Sequence, residues 1–292
     1  MPKDYLIRAC DASHTVRAFA CVSTDLVRQA TEIHQLSPIV GAALGRLLTA
    51  SLLMGDTLKG KDDTLTLQIK GDGELKSLIA IADSEGHTRG RASNPIVLLP
   101  PNKAGHLNVG GAIGHGTLTV IRDMHLKKSY VSTVPLQTGE IGDDITYYYA
   151  SSEQTPSSVG LGVLYDKESV TVKVAGGFLI QLLPNCPEPF IITLEENLAA
   201  LGNVTALLEE GKTAEYLLEK VMDGLDIEIL ERKEISYECT CSRERMERAL
   251  KSLGKEELKK IIDDGKPIDV RCDFCNKTYS FSKEDIESLL EE

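Results

Sequence analysis

The spacing of apolar residues divides the 292-residue chain into three stretches. Over residues 1–184, short runs with apolar residues at alternate positions surround one long apolar block. YLIRA and VRAFACVS read as paired strands. TLTLQIKGDGELKSLIAIADSEGHTRGRAS reads as further strands, broken at Gly-Asp-Gly and Glu-Gly-His where turns are expected. GTLTVIRD, YVSTVPL and VGLGVLYDKESVTVKVAGGFLIQLLP continue the strand pattern, and GDDITYYYASSEQ reads as a helix. Asp143 and Asp144 would form the N-terminal carboxylate pair of that helix, where the dipole favours negative charge. The apolar block, residues 39–55, follows Ser37 as N-cap and Pro38 at the first helical position, so a long helix is predicted. It is short for a bilayer and carries Arg46 in its middle, which makes it a buried helix rather than a membrane span.

Past residue 184 the period becomes helical. After the break PNCPEPF come TLEENLAALGNVTALLEEG and TAEYLLEKVMDGL, with Leu194, Leu198 and Leu201, then Leu217, Leu218 and Val221, at helical spacing. Gly202, Gly211 and Gly224 interrupt them. Helices this short are marginal in water and need a neighbour. Residues 185–235 are therefore predicted to be a helical linker, folded conditionally. Residues 236–292 pattern as a separate small domain. SRERMERALKSL starts a helix at Ser242, and SKEDIESLLEE starts one at Ser282 with Asp285 completing a partial capping box. Between them PIDVRCDFCNKTYSF reads as strand, two-cysteine turn and return strand. The fold class expected is α+β: a mixed core over 1–184, the linker, and a small C-terminal domain.

Charge sharpens this division. Residues 1–184 are nearly balanced, with 17 basic and 18 acidic side chains, whereas residues 185–235 carry 4 basic against 12 acidic. No basic stripe suited to a phosphate backbone is present, which disfavours nucleic-acid binding. The N-terminus lacks the apolar core and small cleavage-site residues of a secretory signal, so a reducing cytosolic setting is expected. There, clustered cysteines point to metal or redox chemistry rather than a disulfide framework.

Such a cluster exists. Cys239 and Cys241 form a C-x-C, and thirty residues later Cys272 and Cys275 form a C-x-x-C, which puts four of the seven cysteines within 37 residues. Two close pairs of soft ligands complete the tetrahedron that zinc prefers. A domain this small also needs help to fold. No histidine follows His125, so the ligand set would be Cys239, Cys241, Cys272 and Cys275. With all four positions filled by protein, no place remains for a catalytic water. Two readings stay open: a permanently closed zinc ribbon, or a redox switch whose thiolates react with oxidants and release the metal. A disulfide across one intervening residue would be strained and easily reduced, which suits a switch.

The remaining candidates are weaker. Cys10 and Cys21 sit in apolar strands as expected core residues; Cys186, between Pro184 and Pro187, is expected to be exposed. The glycine-rich residues 110–120 precede a strand rather than opening a helix, so they read as turns and not as a phosphate loop. His14, His34, His87, His106, His115 and His125 are scattered, and SSEQTPSS has no evident base. Nothing in the sequence forms a catalytic site, and no enzyme activity is expected.

The run CTCSRER followed by RCDFCNxxYxF resembles the zinc module of the redox-regulated 33 kDa chaperonin family (heat shock protein 33). IKGDGELKSLIA, SNP, VPLQTGEIGDDITYYYASSEQTPSSVGLGV and AGGFLIQLLP are similar to that family's core segments, in order along nearly the whole chain. The resemblance implies an ATP-independent holdase of the bacterial cytoplasm, inactive while reduced with one zinc bound per chain. It implies that oxidation forms Cys239–Cys241 and Cys272–Cys275 disulfides, expels zinc, unfolds the linker and yields a homodimer. Its partners would be unfolding client proteins, with neither nucleic acid nor membrane involved.

Overall fold

The protein is described by a computed structural model covering residues 3–291. It forms two compact units, Met1–Tyr237 and Glu238–Glu292. Residues 185–235 lie within the first.

The first unit runs β1 (Tyr5–Asp11), β2 (Val16–Val22), α1 (Thr24–His34), α2 (Pro38–Gly55), β3 (Thr64–Gly71), β4 (Ser77–Asp83) and β5 (His87–Ala92). It continues with α3 (Val109–Ile113), β6 (Gly116–Asp123), β7 (Tyr130–Pro135), α4 (Gly142–Ser151), β8 (Ser157–Tyr165) and β9 (Val172–Leu182). Last come α5 (Glu188–Leu201), α6 (Val204–Glu209), α7 (Ala214–Val221), β10 (Ile227–Glu234) and β11 (Ser236–Tyr237). One sheet has the order β10-β1-β2-β9-β8 and the other β11-β5-β4-β3-β6-β7. The mixture of strands and helices is the expected α+β core.

Helix α2 explains why the apolar block has no polar face. It packs on strands of both sheets, and Leu44, Leu47, Leu48, Leu52 and Leu53 are all buried in one cluster with Phe19, Leu65, Leu67 and Leu179. It is long and apolar enough to cross a membrane but is a core helix here. Gly45 lets it come close to α1 and β8: a Cβ there would stand 2.5 Å from Val27 Cγ1 and 3.0 Å from Val163 Cγ2. Ser37 does precede the helix in an extended conformation, but its hydroxyl makes no cap bond. Instead it donates to the Val97 carbonyl at 3.0 Å and accepts from Val97 N at 3.1 Å, which pins the 93–101 strap to the helix start.

Strands β1 and β2 are apolar on both sides for a related reason. Leu6, Phe19 and Cys21 face α2, while Tyr5, Ile7, Ala9, Val16, Ala18 and Ala20 face a second cluster. The lid over that second face is α5–α7, through Leu194, Val204, Leu208, Leu217, Leu218 and Val221. Asn203 and Thr213 cap α6 and α7, each accepting from a backbone N–H.

The sequence pattern assigned only helices to residues 185–235, so β10 is an additional strand. It pairs antiparallel with β1, from Tyr5 opposite Glu234 to Asp11 opposite Ile227. An edge position explains its charged sequence, IEILERKE. Lys233 reaches from it to Asp56 at the end of α2, with Nζ 2.6 Å from Oδ1 and 2.8 Å from the Ser84 carbonyl. Arg8 Nη1 lies 3.4 Å from the other Asp56 oxygen, and Arg8 also pairs with Glu231. The Asp56 side chain is only 2% exposed, so this carboxylate is compensated chiefly by a residue of β10 and one of β1. Strand β11 then runs parallel to β5, and the buried Tyr237 hydroxyl donates to the Gly90 carbonyl at 2.9 Å with His34 Nε2 at 3.1 Å.

Asp144 does more than terminate α4. It is fully buried, and its carboxylate accepts from the backbone N–H groups of Gln137, Thr138, Gly139 and Ile141. These bonds hold Ile141 at φ 69°, a costly conformation for a β-branched residue.

The second unit comprises α8 (Arg243–Lys251), α9 (Lys255–Asp263), β12 (Ile268–Arg271), β13 (Thr278–Phe281) and α10 (Lys283–Glu291). Ser242 caps α8 by accepting from Arg245 N, and Ser282 with Asp285 forms a complete reciprocal box, at 2.8 and 3.2 Å. Helix α9 falls within a highly charged run that the sequence pattern left unassigned. Its apolar core is small: Leu250, Leu258, Tyr279, Phe281 and Ile286.

Candidate metal centre

Two short turns build the site. The β12–β13 hairpin closes around Cys272 and Cys275. Asn276 N donates to the Cys272 carbonyl and Cys272 N to the Lys277 carbonyl, both at 2.9 Å, while Asn276 takes φ 61°. The Asn276 side chain accepts from Arg271 Nε at 3.0 Å. Cys239 and Cys241 lie on the extended stretch before α8, whose Ser242 cap fixes where that stretch must stop. Arg243 then ties α8 to the hairpin: its guanidinium lies 4.4 Å from the Phe281 ring centroid, donates to the Ser280 carbonyl and pairs with Asp285 at 2.8 Å.

The four sulfur atoms thereby converge, all within 4.8 Å of one another. Cys239 Sγ is 3.6 Å from Cys272 Sγ, and Cys241 Sγ is 3.4 Å from Cys275 Sγ. A tetrahedral ion with metal–sulfur bonds of about 2.3 Å requires sulfur–sulfur edges of roughly 3.8 Å. The donor set therefore fits a thiolate-loving cation without rebuilding, and every donor comes from protein. Both of these contacts join one cysteine of the C-x-C to one of the C-x-x-C.

The thiols are not equivalent. At Cys241 burial acts to raise the pKa, but hydrogen bonds from Tyr279 Oη, 3.1 Å away, and from the other cysteines overcome it and bring it down to about 7. Burial pushes Cys239 and Cys275 up. Of these three thiols, Cys241 is the one whose thiolate the surroundings favour. Tyr279 had no assigned role from sequence. The alternation T-Y-S-F was the available signal, because it puts Tyr279 and Phe281 on one face of β13, both buried.

The other cysteines lie elsewhere. Cys10 and Cys21 are buried in β1 and β2, where burial raises both thiols, and Cys186 is half-buried beside Pro187 rather than fully exposed. Cys10 Sγ does approach His14 Nδ1 at 3.3 Å, but Glu228 and Asp11 add to the burial that keeps it protonated. Residues 109–113 form the short helix α3 ahead of β6, so the glycine-rich stretch is part turn and part helix.

Fold and site together define a class: an α+β core carrying an acidic helical lid, followed in sequence by a small four-cysteine metal-binding module. Comparison with known proteins narrows it. The family model described as Hsp33 protein matches residues 4–282. The 33 kDa chaperonin of Ruminiclostridium cellulolyticum is 47% identical over 289 residues, covering 99% of this chain and 98% of the relative. That of Agathobacter rectalis is 47% identical over 286 residues, covering 98% and 99%. The crystal structure of the 33 kDa chaperonin from Thermotoga maritima superposes with a TM-score of 0.90 at 36% identity, covering 99% and 98% of the two chains. The chain belongs to the Hsp33 family. Membership makes it a non-enzymatic protein, in keeping with a centre that leaves no position for a reacting water.

Proposed function

We propose that this protein is a redox-regulated, ATP-independent holdase of the bacterial cytoplasm, held inactive while reduced and zinc-bound. Family membership and the relatives' name, 33 kDa chaperonin, support the chaperone activity. The observation that carries the regulatory reading is the apolar sheet face beneath α5–α7. Tyr5, Ile7, Val16, Ala18, Phe178 and Ile180 lie there, covered only by the acidic stretch 185–235. Once lifted, that lid exposes a contiguous apolar surface and its own leucines, while its charge keeps the opened chain soluble.

Three functional regions follow: a client-binding and dimerising core over 1–184, a conditionally folded linker over 185–235, and a redox module over 236–292. In the module, Cys239, Cys241, Cys272 and Cys275 hold one zinc per chain, which supplies folding free energy to a unit with a small core. Oxidation forms Cys239–Cys241 and Cys272–Cys275. The four thiolates give up four electrons to two molecules of peroxide, four protons are taken up, four waters leave, and the divalent cation departs. The module then loses its main constraint, the linker unfolds, the chain dimerises, and unfolding client proteins bind.

The test follows zinc release, free thiols and suppression of client aggregation in the same samples during peroxide treatment at mildly elevated temperature. One zinc and four thiols should vanish as client protection rises, and reductant should restore the thiols. Zinc that stays bound, or leaves without any gain in protection, would reduce the module to a structural ribbon.

A further inference from the structure

A cleft of about 420 Å³ opens at one end of the layer between the two sheets of the first unit. Arg17 enters it from β2, Arg122 from β6, and Lys59 from the loop after α2, with Tyr149 and Gln181 also lining it. Of its two acidic residues, Glu153 is paired with a cation and Asp63 is held by its own loop. Glu153 Oε1 lies 3.0 Å from Arg122 Nη1, and Asp63 accepts from Gly60 N at 2.8 Å within its own loop.

Arg17 has no such partner. It donates from Nε and Nη2, at 3.2 and 2.7 Å, to the side-chain oxygen of Gln181, a neutral acceptor, and lies 5.5 Å from the Phe19 ring centroid. Among the described residues no carboxylate pairs with it. Burial chiefly draws its pKa down, with Arg8 and Arg122 adding to the effect and Tyr149 and the more distant Asp56 opposing it. Lys59, exposed at the rim, is likewise unpaired among the described residues. The Tyr149 side chain is only 3% exposed, and its hydroxyl meets no partner in hydrogen-bond geometry, although Arg122 lies alongside. Burial raises that hydroxyl to about 12, so it remains a donor at neutral pH. An unneutralised guanidinium and a buried spare donor beside one cleft are an unfilled demand for acceptor oxygens.

We propose that this cleft binds a small-molecule oxyanion, a phosphate ester or a carboxylate, with Arg17 as its fork, Tyr149 as a neutral donor at the floor and Lys59 at the entrance. The planar guanidinium can engage two oxygens of one group, and the volume accommodates a ligand several times the size of the anionic group alone. All of these residues belong to the first unit, whereas Cys239, Cys241, Cys272 and Cys275 lie in the second.

The experiment uses the full reduced, zinc-loaded chain. Calorimetric titration and thermal unfolding are followed with inorganic phosphate and with malonate, each up to about 20 mM, against chloride at equal ionic strength. Saturable binding and a rise in melting temperature are expected with at least one oxyanion and not with chloride, and the better probe identifies the ligand's charged group. Arg17→Gln should weaken binding on the order of tenfold or more. Tyr149→Phe and the exposed Lys59→Met, which leave the fold intact, should each weaken it severalfold. Chloride matching both probes would overturn the proposal, as would Arg17→Gln, folded by circular dichroism, binding as tightly as the parent.

Discussion

The contact holding β10 to the core lends itself to a direct test through Lys233→Met. Asp56 is 2% exposed at its side chain, and its two oxygens face Lys233 at 2.6 Å and Arg8 at 3.4 Å. Removing one partner of a buried ion pair costs about 3–5 kcal/mol. Here Arg8 remains, Lys233 itself is 19% exposed, and Met keeps most of the aliphatic stem, so about 2 kcal/mol is the appropriate figure. The loss is limited in another way: burial already raises Asp56, against the pull of Lys233 and Arg8, and a proton can neutralise what the lysine abandons. Hydrogen exchange read by mass spectrometry on the reduced, zinc-loaded protein should show β10 amides opening roughly 30-fold more often. The difference should shrink on acidification, as Asp56 protonates, and adding Asp56→Asn should restore part of the protection. If β10 exchanges at the parental rate and the melting temperature is unmoved, the ion cluster does not hold the strand and the reasoning fails. If β10 loosens and peroxide activation does not accelerate, the strand is held as described but its release is not part of the switch.

Further tests address other parts of the chain. Cys272→Ser should lower zinc affinity by orders of magnitude and melt the 238–292 unit, and chelation of the parent should do the same; zinc titration with circular dichroism decides, and unchanged affinity would remove Cys272 from the ligand set. Asp144→Ala removes the acceptor of four N–H groups, two of them on the buried Gly139 and Ile141, and should cost about 2 kcal/mol or more in urea unfolding; a loss below about 1 kcal/mol would mean that the turn finds other acceptors. Asp4, raised by burial to about 6 from 3.8, confers stability that is present below about pH 4 and lost as pH rises through 6. Asp4→Asn should therefore gain up to roughly 3 kcal/mol over the parent at pH 7.5, with the gap closing toward pH 4. An equal gap at both values would show that Asp4 does not titrate in this range.

What was legible in the sequence was what local pattern determines. The α2 block could only be an interior helix because it has no polar side, and Ser37-Pro38 marked its start. The four cysteines stood out because their pairing is local and the number of ligands matches a tetrahedron. What was hidden depended on partners far along the chain. IEILERKE is too charged to announce a strand, and β10 becomes one because β1, some 220 residues earlier, offers an open edge. Ser37 surrendered its cap to a strap sixty residues on. Tyr279 acquires its effect on Cys241 only once the hairpin folds back on the C-x-C turn.

The strand order of the first sheet bears on how the molecule is made. β1 and β2 leave the ribosome first, yet their outer neighbours are β10 and β9. About 160 residues separate β2 from the end of β9, which at roughly 5–20 residues per second is a delay on the order of 10–30 s. Throughout that interval the first hairpin has two open edges, and although α2 is made in time to cover one apolar face, the other waits for α5–α7. Its completion must wait for nearly the whole unit to be synthesised. A chain proposed to shelter half-folded proteins thus passes through its own birth as one of them.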